Sequence, residues 1–398
     1  MRTQITHLHV PGPINVPERV RQAMNVPMQD TRAAVDGELT RPLVDGVKRL
    51  FKQRRGRMFL SPGSATAAWE AAVTNTLDPG DKVLTARHGH FSKRWVELAT
   101  ELGLEVEVVD RPWGDAVPVE EMARRLEADR DGRIKAVFVT HNETATGVTS
   151  PVAAMREVLD ELDHSALLFA DAASSIGAID FRMDAWGVDV AVCGSRNGAL
   201  TPAGLAMLGV SDQAMAATER ARRRRAHFDF AETARLDDHG YVPYTAPTPL
   251  LEGLRASLDA LFAEGLEQVF ARHRRLAEGV RRGVRAWGLD TVARDPRFRS
   301  NTVTAVRVPA DVDAREVVRI AHGRYRTPLG GGLGPLDGKV FRIRHLGGLD
   351  EVTCLSTLAG AEMALKEAGC PIELGAGVGA AQGYFQDAGM AFDLRAVA

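Results

Sequence analysis

Between Lys82 and Val210 the chain repeats one pattern: a short apolar run, a polar or glycine break, and in several gaps a stretch with helical spacing. The runs read KVLTAR, LEVEVVD, IKAVFVTH, ALLFAD, VDVAVCGS and LAMLGVS. Runs this short, apolar on both faces, suit strands covered on both sides, and parallel strands joined through helices are covered in that way. The pattern therefore predicts an α/β sandwich around a mainly parallel sheet.

In such a sheet the chemistry gathers at the carboxyl ends of the strands. The residues there are His141-Asn142-Glu143-Thr144, Asp171, and Ser195-Arg196-Asn197. Farther along, Leu266, Val269, Phe270, Leu276, Val280, Val284 and Trp287 recur at near-helical spacing and predict one long helix from about Pro249 to Trp287. A smaller α+β lobe should follow it, with strands TVTAVRVP and KVFRIRHL and helices near 314–325 and 350–368. The expected division is a large domain over 1–260, including an N-terminal arm, and a small domain over 261–398. The glycine-rich GAGVG at Gly375 is not read as a dinucleotide loop, because too few residues follow it for a βαβ unit.

Composition narrows the partners. A formal net charge of -2 over 398 residues gives no electrostatic reason to expect nucleic acid or an anionic membrane. The basic run Arg222 to Arg225 follows a helical stretch and reads as a solvated face or a subunit contact. Cys193, Cys354 and Cys370 show neither disulfide nor metal-ligand spacing, so no metal site is expected. The first residues lack an apolar leader, and no run of about eighteen apolar residues occurs, so a cytoplasmic location is expected.

Two groups invite chemistry on their own terms. Pro62 to Glu70 reads as a tight loop entering a helix, where backbone N–H groups with the hydroxyls of Ser64 and Thr66 would either cradle a phosphate or simply cap the helix. Asp171 ends a buried strand, and its carboxylate needs a partner: a protonated pyridine-type ring nitrogen, or the turn that it would cap.

The segments PGPINVPERVRQAM, SATAAWEAAVTNTLDPGDKVL, HNETATGVTSP, FADAASSIGAIDFRMDAWGVDVAVCGS, PYTAPTPLLEGL and GKVFRIRHLG occur in that order over nearly the whole chain. Together they resemble the class V aminotransferases of fold type I, of the serine–glyoxylate and aspartate–glyoxylate kind. The resemblance implies a large domain with a mainly parallel sheet of the seven-stranded type, a small C-terminal domain, and pyridoxal phosphate (PLP) as cofactor. It further implies that Ser64, Ala65 and Thr66 hold the cofactor phosphate, with Thr245 reaching it from the other subunit of a homodimer. Phe91 would stack on the ring, Thr144 would lie beside it, Asp171 would pair with its nitrogen, and Ser195 and Arg196 would complete the cofactor site. Arg342 would grip the substrate carboxylate, where a planar guanidinium is well matched.

The sequence leaves the family pattern at one catalytic position. Where relatives carry the Schiff-base lysine this chain has Asn197, and an amide can neither bond the cofactor covalently nor shuttle a proton. Neighbouring positions also differ from the family pattern: Thr31, Ala65, Ala67, Ala172, Arg196 and Arg344. Residues 342 and 344 lie two apart on a predicted strand and share a face, so Arg344 is expected to flank Arg342. A ligand with at least two negative groups is then expected, held by Arg342 together with Arg344 or Arg196.

Three functions remain open on the sequence. One is an enzyme for a small anionic amino or 2-oxo acid that holds PLP or pyridoxamine phosphate non-covalently. Another is a catalytically silent homologue, either a ligand-binding protein or a partner subunit in a heterodimer with an active paralogue. The last is a PLP-independent reaction in the remodelled anion pocket.

Overall fold

The structure, a computed structural model, describes residues 8–12, 14–27, 40–238 and 246–389. Its larger sheet has seven strands: β1 (Arg57–Gly63), β2 (Lys82–Arg87), β3 (Glu105–Asp110), β4 (Ile134–Thr140), β5 (Leu167–Asp171), β6 (Val190–Gly194) and β7 (Gly204–Val210). Their spatial order is β1-β7-β6-β5-β4-β2-β3. The strands β2 through β6 are mutually parallel, whereas β7 runs antiparallel to both β6 and β1. Each predicted apolar run is one of these strands. β1 was not among them, because RMFLSPG mixes polar ends with Pro62 and shows no continuous apolar run.

Alternate residues of the central strands enter opposite cores, as a period of two requires. Val83, Ala136, Phe138 and Phe169 pack on one side, and Leu84, Val137, Val139 and Leu168 on the other. Phe169 is fully buried, and truncating such a ring to alanine costs about 3–5 kcal/mol.

Two helices open directly from the carboxyl edge of the sheet. α1 (Ala65–Thr76) follows β1, and α2 (His90–Glu101) follows β2. Of the basic run, Arg225 donates to the carbonyl of Thr74 in the last turn of α1, and Arg223 to that of Leu102. These contacts serve helix ends inside the same chain.

The single long helix expected from 249 to 287 is two helices, α3 (Thr248–Glu264) and α4 (Leu266–Ala286). Gly265 separates them at φ 84°, a conformation that stops a helix and that side chains other than glycine's resist. The expected boundary after residue 260 falls inside α3. The change of core comes later, within α4, where Val269 packs with Leu84 and Val137 in one core of the large sheet and Leu276 with a third core.

That third core lies under a three-stranded antiparallel sheet of β8 (Val303–Arg307), β9 (Gly330–Gly331) and β10 (Val340–Arg344), in the order β8-β10-β9. The chain's first described residues return to it, since His9 bridges Leu329. The GAGVG segment begins the helix α5 (Ala376–Gly389), and the Glu362 carboxylate accepts from the N–H groups of Gly375, Gly377 and Val378. An acid from the same chain thus fills that helix start. No helix among the described residues is long and apolar enough to cross a membrane.

Candidate active site

A cavity of about 380 Å³ opens at the carboxyl edge of the large sheet. Ser64, Ala65, Thr66, Phe91, Thr144, Asp171, Ser195, Arg196 and Asn197 all line it, so the fold brings together positions spread through more than a hundred residues of chain. Thr245 and Thr31 lie outside the described residues.

Asp171 is the last residue of β5 and is 5% exposed. One carboxylate oxygen accepts from the N–H of Ala173 at 3.0 Å. Burial pushes its pKa up to about 7, with the Glu143 charge adding to the rise. Trp69 on α1 and Trp95 on α2 stack with centroids 4.6 Å apart. Their indole N–H groups are buried without a closed hydrogen bond among the described residues and lie within electrostatic reach of the Asp171 carboxylate, which they favour in its ionised form. Among the described residues no cation forms an ion pair with Asp171. Of the two sequence readings of this aspartate, the short bond to Ala173 satisfies the turn-capping one, yet the carboxylate still faces the cavity.

Ser64 is the N-cap of α1, its Oγ accepting from Ala67 N–H at 3.4 Å, and it is exposed to the cavity together with Thr66. Capping and phosphate binding use the same end of the helix, so the weak cap leaves the cradle available. Phe91 stands in the first turn of α2. That turn is held by Glu143, whose Oε2 accepts from the N–H groups of Phe91 and Ser92 at 2.8 and 3.0 Å. Glu143 approaches so closely that a Cβ at Gly89 would fall 2.2 Å from its Cγ. The glycine of the HGHF segment is there for room rather than for backbone freedom.

Ser195 lines the cavity with its hydroxyl already committed, donating to Pro202 O at 2.7 Å and accepting from Leu205 N–H at 3.2 Å. Arg196 is exposed, its guanidinium beside Gly12, and makes no hydrogen bond or ion pair among the described residues. Asn197 is 6% exposed and donates from Nδ2 to the carbonyl of Ala173 at 2.7 Å. Its Oδ1 is buried without a partner among the described residues. Among the described residues no lysine lines the cavity.

The two strand arginines part company. Arg342 donates to Gly331 O at 2.7 Å and to Thr144 O at 3.3 Å, which places it at the rim although it does not line the cavity itself. Burial lowers its pKa to about 10, with Glu143 opposing. Arg344 is placed elsewhere: it is 2% exposed, bonded through Nη2 to the carbonyl of Leu8, and does not line the cavity. The shared strand face is real, but the N-terminal arm lies over this part of it, so the expected flanking of Arg342 by Arg344 is not what the structure has.

Sequence reasoning gave no role to His90 and Arg94, which also line the cavity. Their signal was available, since positions four apart at the start of a helix rising from the strand edge share one face.

The profile of the family described as aminotransferase class-V matches residues 47–323, well over half of the chain. The chain belongs to the class V aminotransferase family. It is 51% identical over 385 residues to a serine–glyoxylate aminotransferase of Hyphomicrobium methylovorum, covering 96% of this chain and 95% of that one. To an L-aspartate–glyoxylate aminotransferase of Paracoccus denitrificans (strain Pd 1222) it is 48% identical over 379 residues, covering 95% and 96%. Among solved structures, the pyridoxamine–pyruvate aminotransferase of Mesorhizobium loti superposes with a TM-score of 0.88 at 26% identity, covering 96% of this chain and 97% of that one. The expected fold of type I is thereby established, as is membership of a PLP-dependent transferase family. A class V cavity calls for PLP, and the residues here fit such a group: a buried carboxylate with no ion-pair partner among the described residues, an exposed helix N-terminus bearing two hydroxyls, and a buried amide oxygen at Asn197 with no partner among them.

Proposed function

We propose that this class V family member holds PLP or pyridoxamine phosphate in the cavity without a covalent bond, and acts there on a small anionic amino or 2-oxo acid. The observation that carries the reading is Asp171, a carboxylate 5% exposed on the cavity wall that pairs with no cation among the described residues. A buried carboxylate of this kind is matched by a protonated ring nitrogen.

When bound, the cofactor supplies an electron sink, which its protonated ring provides. The chain's own residues do the rest. Ser64, Thr66 and the N-terminus of α1 receive the phosphate, with the exposed guanidinium of Arg196 as added charge. Phe91 and Thr144 border the ring, and Arg342 at the rim offers its fork to a substrate carboxylate. Thr245 completes the phosphate site from a second subunit of a homodimer. The names of the most similar relatives suggest glyoxylate as the acceptor, with serine or aspartate as the donor. An amide is neither nucleophile nor base at neutral pH, so Asn197 moves no proton and ordinary transamination is slow.

Absorbance of the purified protein, with PLP or pyridoxamine phosphate added and then dialysed away, tests this. Retention followed by release, with no increase in chain mass after borohydride treatment, is the expected result. A cofactor fixed to the chain by borohydride at a cavity residue would overturn the non-covalent part, and failure to bind either form would overturn the reading as a whole.

A further inference from the structure

The Nδ2 of Asn197 donates to the Ala173 carbonyl at 2.7 Å, which decides the orientation of the amide, since half a turn would set two carbonyl oxygens against each other. The atom left over is Oδ1, buried and without a donor among the described residues. Gly12 on the N-terminal arm lies close by but cannot serve, because its N–H is committed to Val10 O at 2.7 Å. Position 12 also carries no side chain, and a Cβ there would stand 3.2 Å from Oδ1. Buried acceptors with no donor are uncommon and costly, and one on a cavity wall points to a donor brought by the ligand.

We propose that Asn197 Oδ1 is a ligand-facing acceptor that makes the site selective for the amine form of the cofactor, pyridoxamine phosphate, over the aldehyde form. The inference rests on the reading that a pyridoxal-type cofactor is held in this cavity. An oxygen that only accepts is satisfied by N–H. A protonated aminomethyl group brings three such donors and a charge, which strengthens the bond. An aldehyde brings only lone pairs, which would meet those of Oδ1. No lysine among the lining residues offers the aldehyde a covalent bond in compensation. The amine form is therefore the one in which this pocket rests, and a 2-oxo acid is the substrate it is ready to meet.

Calorimetric titration of the full chain with pyridoxamine phosphate, PLP and 4-deoxypyridoxine phosphate reads this without any turnover. The deoxy compound keeps ring and phosphate but has a methyl group in place of the amine, and it does not react with surface lysines. Pyridoxamine phosphate should bind about tenfold or more tightly than either of the others. Asn197→Leu should remove most of that advantage while the deoxy compound still binds. Asn197→Ala, which removes the same acceptor without the bulk of leucine, should do likewise and serves if the leucine variant does not fold. Equal affinities for the three compounds in the unmodified chain, or an undiminished amine advantage in Asn197→Leu, would overturn the inference and leave the cofactor reading standing. No binding of any of the three would sink both.

Discussion

Asn197 donates its side-chain amide to the backbone carbonyl of Ala173, two residues beyond Asp171, and so ties the turn after β6 to the turn after β5. Asn197 is thus a strut in this chain. Asn197→Lys should therefore lose this bond, at a stability cost of about 1 kcal/mol, while placing an amine in the cavity. Covalent cofactor capture is expected. Brisk transamination is not, because Ala65, Ala67 and Ala172 shape the surrounding loops, and misplacement by about 1 Å costs roughly a hundredfold in rate. The check is a glyoxylate assay with serine and with aspartate, run beside the Hyphomicrobium relative; comparable rates would show the remodelling to be without effect.

Asp171 should leave a mark on stability against pH. Its folded pKa, about 7, lies above the ordinary carboxylate value of 3.8, so between those limits the folded state keeps a proton that the unfolded state has lost. Stability conferred by the neutral form is full below about pH 4, declines as pH rises through the window, and levels off above about 7. Asp171→Asn should flatten that slope and be more stable at pH 8 by on the order of a few kcal/mol, with cofactor affinity reduced. Thermal melts from pH 4 to about 8 would show it; parallel curves for the two proteins would place the titration elsewhere.

Arg344 has Nε and Nη1 buried without partners among the described residues. Replacing an uncompensated buried charge by an apolar chain of similar length is neutral or stabilising by about 1–4 kcal/mol, so Arg344→Met should not lower the melting temperature. Its affinity for 2-oxo acids should match that of the unmodified chain. Arg342→Ala should weaken that affinity by about 1.5–3 kcal/mol. Calorimetric titration with glyoxylate and oxaloacetate distinguishes the two, and a weakened Arg344→Met would return that arginine to the site.

Gly89→Ala should be disproportionately harmful. The added methyl would meet Glu143 at 2.2 Å, and Glu143 holds the first turn of α2 and with it Phe91. A loss of about 1–3 kcal/mol in chemical denaturation is expected, with a matching fall in cofactor binding. Unchanged binding would mean that Glu143 does not position Phe91.

The sheet was legible because parallel strands covered on both faces must be apolar throughout, and KVLTAR or ALLFAD cannot be much else. β1 was hidden by its mixed composition and its place at the sheet edge. Asp171 and Asn197 could be placed because strand ends converge whatever the loops do. Arg344 could not, since its partner is the carbonyl of Leu8, 336 residues away in sequence. The spacing of neighbours tells which face a side chain takes, but not what another part of the chain lays over that face. Likewise Ser195 looked available until its hydroxyl was found committed to Pro202 and Leu205.

The cavity residues Ser64, Thr66, Arg196 and Asn197 belong to turns and helix starts at the rim of the large sheet, and none of them is part of a hydrophobic core. Chemistry and foldedness are thus written in nearly separate sets of residues. A lineage with this scaffold can drift from one reactive group to another while its melting temperature stays almost where it was. Screening for stability alone would pass such variants unseen, and only a question put to the ligand would reveal that the work of the protein had changed.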